Sequence, residues 1–239
     1  MAMPEHTAKA FDVDLQELTR MVAEMGGLAE RQIADSVDAL ARRDADRAQR
    51  TVAGDPSIDA LQAEIEEKAV LTIARRQPMA VDLREIVGAL RVANDLERIG
   101  DLAKNIGKRV LALDGEFHPP KLIRGVEHMA AMVLGQLKKV LDAYAGRDLV
   151  KALTVWNGDE EIDAMCTSLF RELITYMMED PRNITFCMHL MFTAKNIERM
   201  GDHATNIAET VYFMIEGRSI PDPRPKGDTT SFAALAPRQ

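Results

Sequence analysis

A ten-residue pattern of mostly polar residues occurs twice in the chain. The first copy is ERIGDLAKNI at 97–106, and the second is ERMGDHATNI at 198–207. Seven of the ten positions are identical, although the copies lie 101 residues apart. Five of the seven shared positions hold glutamate, arginine, glycine, aspartate or asparagine. A helix does not need these residue types in order to pack, so their repetition indicates a chemical role.

Carboxylates are the groups in this pattern that could bind a metal ion. Glu97 and Asp101 lie four residues apart, so they share one face of a helix, and Asn105 continues that face. The preceding helical segment carries a second pair at the same spacing, Asp55 and Asp59. The second half of the chain repeats this design with the following residues: Asp159, Asp163, Glu198, Asp202 and Asn206.

The spacing of these acids indicates either a cation site or a solvated acidic face. Like charges four residues apart destabilise an isolated helix by a few tenths of a kcal/mol per pair, and a cation between two pairs reverses that effect. Carboxylate and amide oxygens are hard ligands that suit Mg²⁺, Mn²⁺, Ca²⁺ or oxidised iron rather than thiophilic metals. The helical wheel places the acids on an outward or inter-helix face, away from the apolar stripe that holds Leu96 and Ile99. Retention of the acids in both copies adds weight to the metal site, and both interpretations stay open on the residues alone.

Helical periodicity runs through most of the sequence. Val92, Leu96, Ile99 and Ala103 recur at intervals of three and four residues, and no stretch of comparable length alternates with period two. The sequence predicts six helices over these ranges: 8–41, 44–75, 80–114, 121–145, 148–178 and 182–217. The stretch after them is rich in proline and small polar residues, so it is predicted to be disordered.

The repeat extends beyond the acidic motif. Residues 41–61 align with residues 145–165, so the chain reads as two tandem three-helix units. Three helices joined by short turns pack as an antiparallel bundle. We therefore expect an all-α protein of two pseudo-symmetric three-helix bundles, residues 1–117 and 118–217, followed by a flexible tail over 218–239.

Four residues within the predicted helices need separate interpretations. Pro56 falls inside the second predicted helix, where proline costs about 3 kcal/mol, so we expect a kink or a restart with Asp55 as the N-cap. Gly100 and Gly201 each cost about 1 kcal/mol relative to alanine, which close approach of a neighbouring helix or a ligand would explain. His203 stands where the first copy has leucine, and we interpret it as a histidine on the helix surface.

Composition narrows the class of protein. The net charge of −8 argues against nucleic-acid binding, which needs clustered lysine and arginine. Two cysteines without a C-x-x-C motif suit a reducing cytoplasm. The first residues show no apolar segment typical of a signal peptide, and no apolar run approaches the roughly 18 residues of a spanning helix. We expect a cytoplasmic protein that reaches a membrane only through partners.

The sequence shows no set of catalytic residues. It lacks a Ser/His/Asp arrangement, a glycine-rich phosphate loop and the E-x-x-H motif of di-iron bundles. We therefore predict that the protein is not an enzyme. Two alternatives stay open: a carboxylate-bridged metal enzyme or metal store, and a helical adaptor that binds no metal.

Both copies of the motif, with their flanking residues, closely resemble the PhoU family of accessory proteins in bacterial high-affinity phosphate transport. The matching stretches are LRVANDLERIGDLAKNI and LMFTAKNIERMGDHATNIAE, preceded by RQPMAVDLREI and YMMEDPRNIT. The resemblance covers the chain from about Phe11 to Gly217. It implies two three-helix bundles whose acidic motifs bind metal, as iron or zinc clusters or as magnesium or manganese. Carried onto this sequence, the motifs are these pairs: Asp55/Asp59, Glu97/Asp101, Asp159/Asp163 and Glu198/Asp202.

The resemblance also implies a function. A PhoU-like protein would be a negative regulator of the phosphate-starvation response and a modulator of phosphate uptake. It would couple the ABC phosphate transporter, through its ATPase subunit, to a PAS-containing sensor histidine kinase. A homodimer is an assembly that the sequence leaves open. Pro56, inside the first acidic pair, departs from the usual family pattern.

Overall fold

The computed structural model describes residues 5–113 and 120–224. Within these ranges the chain folds into helices joined by short turns and contains no β-strand, which confirms the all-α prediction. The helices have these bounds: α1 Glu5–Arg42, α2 Ala45–Arg76, α3 Val81–Ala112, α4 Pro120–Gly146, α5 Leu149–Asn157, α6 Asp159–Glu179 and α7 Ile184–Glu216. None of these helices is long and apolar enough to cross a membrane.

The turn between α1 and α2 has the same construction as the turn between α4 and α5. Arg43 and Arg147 adopt left-handed backbone angles, with φ of 57° and 50°, and each ends the helix before it. Asp44 and Asp148 follow them, and each carboxylate accepts a hydrogen bond from the backbone N–H three residues on, at 2.8 and 3.0 Å. Such N-caps satisfy a donor that the first helical turn leaves without a partner. The sequence repeat is therefore also a repeat of local structure.

Each half of the chain packs its own helices together. In the first half α1, α2 and α3 contact one another, and in the second half α4 and α7 enclose α5 and α6. Helices α3 and α7 form the main contact between the halves, and α1 also packs against α4. The core side chains of the two halves are apolar and fully buried, for example Ile33, Ile58, Ile99, Met129, Ile162 and Ile197. The predicted boundary between residues 117 and 118 lies outside the described residues.

The predicted helix that contains Pro56 is continuous, and the break occurs instead in the second half of the chain, at Gly158. Helix α2 continues through Pro56 without a restart, so the prediction of an N-cap at Asp55 is wrong. Pro56 lies on the exposed face, where water can bond the carbonyl that loses its helical partner. The fifth predicted helix instead divides at Gly158, whose carbonyl accepts a hydrogen bond from Gln136 Nε2 at 2.9 Å. A side chain that bonds this carbonyl competes with the helical ladder.

Residues 218–224, directly after α7, pack against the bundle. The predicted disorder of the tail is therefore not found in this part of it. Gly217 ends α7 in the left-handed region with φ of 74°, and its N–H donates to Phe213 O at 2.9 Å. Ile220 then packs against the hydrophobic core. The remainder of the predicted tail, residues 225–239, lies outside the described residues.

Candidate functional site

Acids from α2 and α3 come together in the first half of the chain. Asp55 and Asp59 lie on α2, and Glu97 and Asp101 lie on α3; we call these four residues the first carboxylate cluster. The ammonium of Lys104 donates hydrogen bonds to both Asp55 and Asp101, which places the two helices' carboxylates on one cation. Burial raises the pKa of Glu97, and the charges of Asp101, Asp59 and Asp55 raise it further against the opposing effect of Arg98.

Lys104 supplies the positive charge of the first carboxylate cluster. Burial alone would lower the pKa of its ammonium, but the hydrogen bonds with Asp101 and Asp55 outweigh burial and raise that pKa. The side chain of Asp55 is only 7% exposed and that of Lys104 is 22% exposed, so water screens this contact weakly. Sequence reasoning missed Lys104 because the second copy has threonine there. Its position three residues after Asp101 places both side chains on one helix face, and this spacing was the available signal of an ion pair.

A second carboxylate cluster occupies the equivalent place in the other half. It consists of Asp159 and Asp163 at the start of α6 with Glu198 and Asp202 on α7. Lys195 on α7 pairs with Glu198, and a second cation comes from the segment after α7. Arg224 Nε donates to Asp159 Oδ2 at 2.9 Å, and Nη2 donates to Asp202 Oδ1 at 2.6 Å. The two clusters therefore have matching acids but different sources of positive charge.

One glutamate oxygen in each cluster is buried without a hydrogen-bond partner in the described part of the chain. These atoms are Oε2 of Glu97 and Oε2 of Glu198. Arg98 Nε lies 3.3 Å from the Glu97 oxygen as an ion pair, without hydrogen-bond geometry. The other oxygen of Glu198 accepts a hydrogen bond from Lys195 at 2.7 Å. Burial raises the pKa of Glu198; Lys195 opposes this rise, and the charges of Asp202 and Asp163 add to it. A buried carboxylate oxygen without a donor favours the addition of a cation.

Several acids are more deeply buried than the helical wheel predicts. The prediction placed all of them on an outward or inter-helix face, but α2 packs closely on α3, and α6 packs on α7. The neighbouring helix thereby covers part of the acidic face in each half. The buried cluster residues are Asp55, Asp159, Asp163 and Glu198. Asp59 alone of the eight acids is largely exposed.

The repeated asparagine of the second half lies at the contact between the halves. Asn206 on α7 donates to Asp95 Oδ1 on α3 at 3.2 Å and accepts from Arg224 at 3.3 Å. His203 Nδ1 lies 2.8 Å from the same Asp95 oxygen. The prediction that His203 is a surface histidine is wrong, because it joins the halves and is largely buried. Asn105 occupies the matching position on α3 and is half-buried.

Packing against a neighbouring helix explains the repeated glycines. A Cβ at Gly100 would lie 2.9 Å from Ile58 Cδ1, and a Cβ at Gly201 would lie 3.1 Å from Ile162 Cδ1. Both distances are shorter than ordinary contacts between carbon atoms. The two isoleucines are themselves equivalent residues of the repeat, so the glycines serve the core rather than a ligand.

The donor atoms suit a hard cation, although the carboxylates converge on basic side chains. Among residues 5–113 and 120–224, no three His, Cys, Asp or Glu side chains already have the arrangement of a metal site. All donors are oxygens, and the buried oxygens of Glu97 and Glu198 have capacity for a further ligand bond. The residues therefore fit a cation that replaces Lys104 or Arg224. Metal binding at the ten predicted positions stays a prediction.

Comparison with known proteins gives matches over nearly the whole chain. The family model described as the PhoU domain matches residues 22–110 and again residues 126–211. A phosphate-specific transport system accessory protein PhoU homolog from Rhizobium meliloti is 59% identical over 226 residues, which is 95% of each chain. A homolog of the same name from Caulobacter vibrioides is 54% identical and covers 96% of this chain and 100% of its own. The crystal structure of PhoU from Pseudomonas aeruginosa superposes with a TM-score of 0.84 at 38% identity, covering 87% of this chain and 100% of that chain.

Proposed function

The chain belongs to the PhoU family, and from that premise we propose that it restrains the phosphate-starvation response and modulates phosphate uptake. The observation that carries this proposal is the relation over nearly the full length to proteins named as accessories of a phosphate-specific transport system. Both halves of the chain take part in that relation, since the family model matches each of them. The proposed activity is regulatory binding rather than catalysis.

The proposed partners are the ATPase subunit of an ABC phosphate transporter and a PAS-containing sensor histidine kinase. When phosphate is plentiful, the chain holds the kinase in its non-activating state at the transporter. It acts in the cytoplasm and reaches the membrane by docking to these partners. The long helices support such a role, because they present extended faces on which two partners can bind.

Helices α3 and α7 give this adaptor a route for regulation. Each carries the acids of one cluster, and the two helices also form the main contact between the halves. Asp95 on α3 bonds both His203 and Asn206 on α7, and Asn206 bonds Arg224 of the second cluster. A change of charge in that cluster therefore reaches the contact between the halves. A ligand shifts such a protein between partners only if it binds one state better.

The carboxylate clusters are the proposed place for a divalent or ferric ion. The first cluster would hold it with Asp55, Asp59, Glu97 and Asp101, and the second with the following residues: Asp159, Asp163, Glu198 and Asp202. A bound ion would neutralise the carboxylates and link the paired helices. The chain's own residues hold each cluster together through Lys104 in the first half and Arg224 in the second.

A deletion strain tests the proposed function. Loss of the gene is expected to leave a phosphate-repressible phosphatase active in phosphate-rich medium, and a plasmid copy is expected to restore repression. The tagged protein is expected to co-purify with the kinase and with the transporter ATPase. Normal repression in the deletion strain, together with no co-purification of either partner, would overturn the proposal. The strain is first checked for a second PhoU-like gene, which would mask the phenotype.

A further inference from the structure

The segment that follows α7 turns back and runs along the bundle. Gly217 reverses the chain direction, and Ile220 packs against the core. From Gly217 back to Asn206 the helix axis spans about 16 Å at 1.5 Å per residue. The seven residues that follow Gly217 reach at most about 23–25 Å when extended. The segment is therefore long enough to bring Arg224 back to the level of Asn206, and its prolines limit its freedom.

The guanidinium of Arg224 has a dedicated set of acceptors. Nε donates to Asp159 Oδ2 at 2.9 Å, and Nη2 donates to Asp202 Oδ1 at 2.6 Å and to the backbone oxygen of Asp202 at 3.4 Å. Nη1 donates to Asn206 Oδ1 at 3.3 Å. The side chain is 17% exposed, and that of Asp159 is 3% exposed. Arg224 is thus held inside the second carboxylate cluster by residues of both α6 and α7.

The two halves differ in how freely their cation can leave. Lys104 is part of α3, so its ammonium leaves the first carboxylate cluster only by rotation of its own side chain, and its backbone keeps it close by. Thr205 replaces it in the second half and bonds Asp159 Oδ1 at 3.1 Å without adding charge. Arg224 lies outside the helices, on a segment that can detach while the bundle stays folded. Lys195 on α7 stays beside Glu198 in the second carboxylate cluster, so Arg224 is the cation there that can exchange with one from solution at low cost.

Glu198 provides an independent sign that the second carboxylate cluster accepts a further cation. The residue is 6% exposed, and its Oε2 has no hydrogen-bond partner within the described residues. Arg224 bonds Asp159 and Asp202 but not Glu198. A metal ion bonds several oxygens at once and can include this one. The guanidinium therefore fills the cluster only in part.

We propose that residues 217–224 form a latch whose Arg224 head competes with a divalent cation for the second carboxylate cluster. Both occupants use Asp159 and Asp202, so binding of the cation expels the guanidinium. Release of the latch uncovers the groove between α3 and α7, because Ser219, Ile220 and Asp222 line that groove together with residues of both helices. This inference deepens the proposed function and rests on it, since it states how a cation would change the surface that the adaptor offers to partners.

Titration of the chelator-treated full-length protein with Mn²⁺ tests the latch. Arg224→Ala removes the competitor, so its dissociation constant for Mn²⁺ is expected to fall by at least about fivefold relative to wild type. Arg218→Ala is the matched control, because Arg218 lies on the same segment but pairs only loosely with Glu216, at 3.8 Å. The control is expected to bind as wild type does. Adding Asp202→Asn to Arg224→Ala is expected to abolish the gain.

A second measurement follows the latch in the wild-type protein. With ¹⁵N-arginine label, the Nε–H signal of Arg224 is expected to be protected from exchange without metal and to become solvent-exposed when Mg²⁺ saturates the protein. Equal Mn²⁺ affinities of wild type and Arg224→Ala, or no Mn²⁺ binding by either, would overturn the latch. Either result would leave the phosphatase and co-purification tests of the proposed function unaffected, so the two failures are distinguishable.

Discussion

Replacement of Lys104 by methionine removes the cation of the first carboxylate cluster while keeping most of the side chain's volume. Asp55 would then be a buried carboxylate with no basic group in hydrogen-bond contact, and Asp101 would lose the same partner. Arg98 cannot replace Lys104 fully, since its guanidinium is 55% exposed and lies 3.7 Å from Asp101. We therefore expect Lys104→Met to lower the free energy of unfolding.

The magnitude follows from the burial of the partners. Breaking a fully buried ion pair costs about 3–5 kcal/mol, because it leaves a charge without compensation. Here Asp55 is 7% exposed but Asp101 is 34% exposed, so water offsets part of that cost. We expect a loss of about 2–3 kcal/mol. For a protein of this size that corresponds to a fall in Tm of about 4–12 °C.

The assay is urea denaturation with chelator present, followed by circular dichroism. Lys108→Met is the control, because Lys108 is exposed on the same helix and its replacement is expected to change stability by less than about 0.5 kcal/mol. Asp55→Asn combined with Lys104→Met is expected to recover most of the loss by removing the buried charge. If Lys104→Met matches the Lys108→Met control in stability, the first carboxylate cluster does not need its cation and the reasoning is refuted.

Two further predictions concern a buried acid and two glycines. Burial raises the pKa of Glu198 in the folded state, so the native protein holds this proton more tightly and loses stability as pH rises through that pKa. The free energy of unfolding of Glu198→Gln, measured by urea titration, should therefore rise relative to that of wild type as pH increases above the ordinary glutamate pKa of 4.5. A difference between the two proteins that does not depend on pH would contradict this. Gly135→Ala should stabilise the protein by about 0.5–1 kcal/mol, since the new methyl meets nothing beyond its own helix within 4 Å in the described chain. Gly100→Ala should instead cost about 1–3 kcal/mol through its contact with Ile58, and equal thermal shifts for the two glycine variants would argue against this packing.

Patterns that repeat were predictable from the sequence, and the cations were not. The acids share a helical face in both copies, so their convergence within each half follows from the spacing and from antiparallel packing. Lys104 differs between the copies and gave no signal in the repeat. Arg224 lies in a stretch whose composition indicates disorder. Its position depends on contacts with Asp159, which is 65 residues earlier in the chain.

The helix break shows the limit of local propensity. Proline predicted an interruption near Pro56, but a continuous helix tolerates it there because the residue lies on the exposed face. The interruption occurs at Gly158, where the side chain of Gln136 on α4 bonds the backbone carbonyl. That contact joins residues that are far apart in sequence, and the local signal for the break is the dipeptide Asn157-Gly158, which favours a turn.

Manganese content distinguishes the two carboxylate clusters most directly. The protein is stripped with chelator, equilibrated with Mn²⁺, and measured by elemental analysis as wild type, Asp101→Asn and Asp202→Asn. Because Lys104 stays tethered beside the first carboxylate cluster and Arg224 can move away from the second, Asp202→Asn is expected to lose more manganese than Asp101→Asn does. Equal loss from both variants, or no manganese in the wild-type protein, would contradict the assignment of the second carboxylate cluster as the exchangeable cation site.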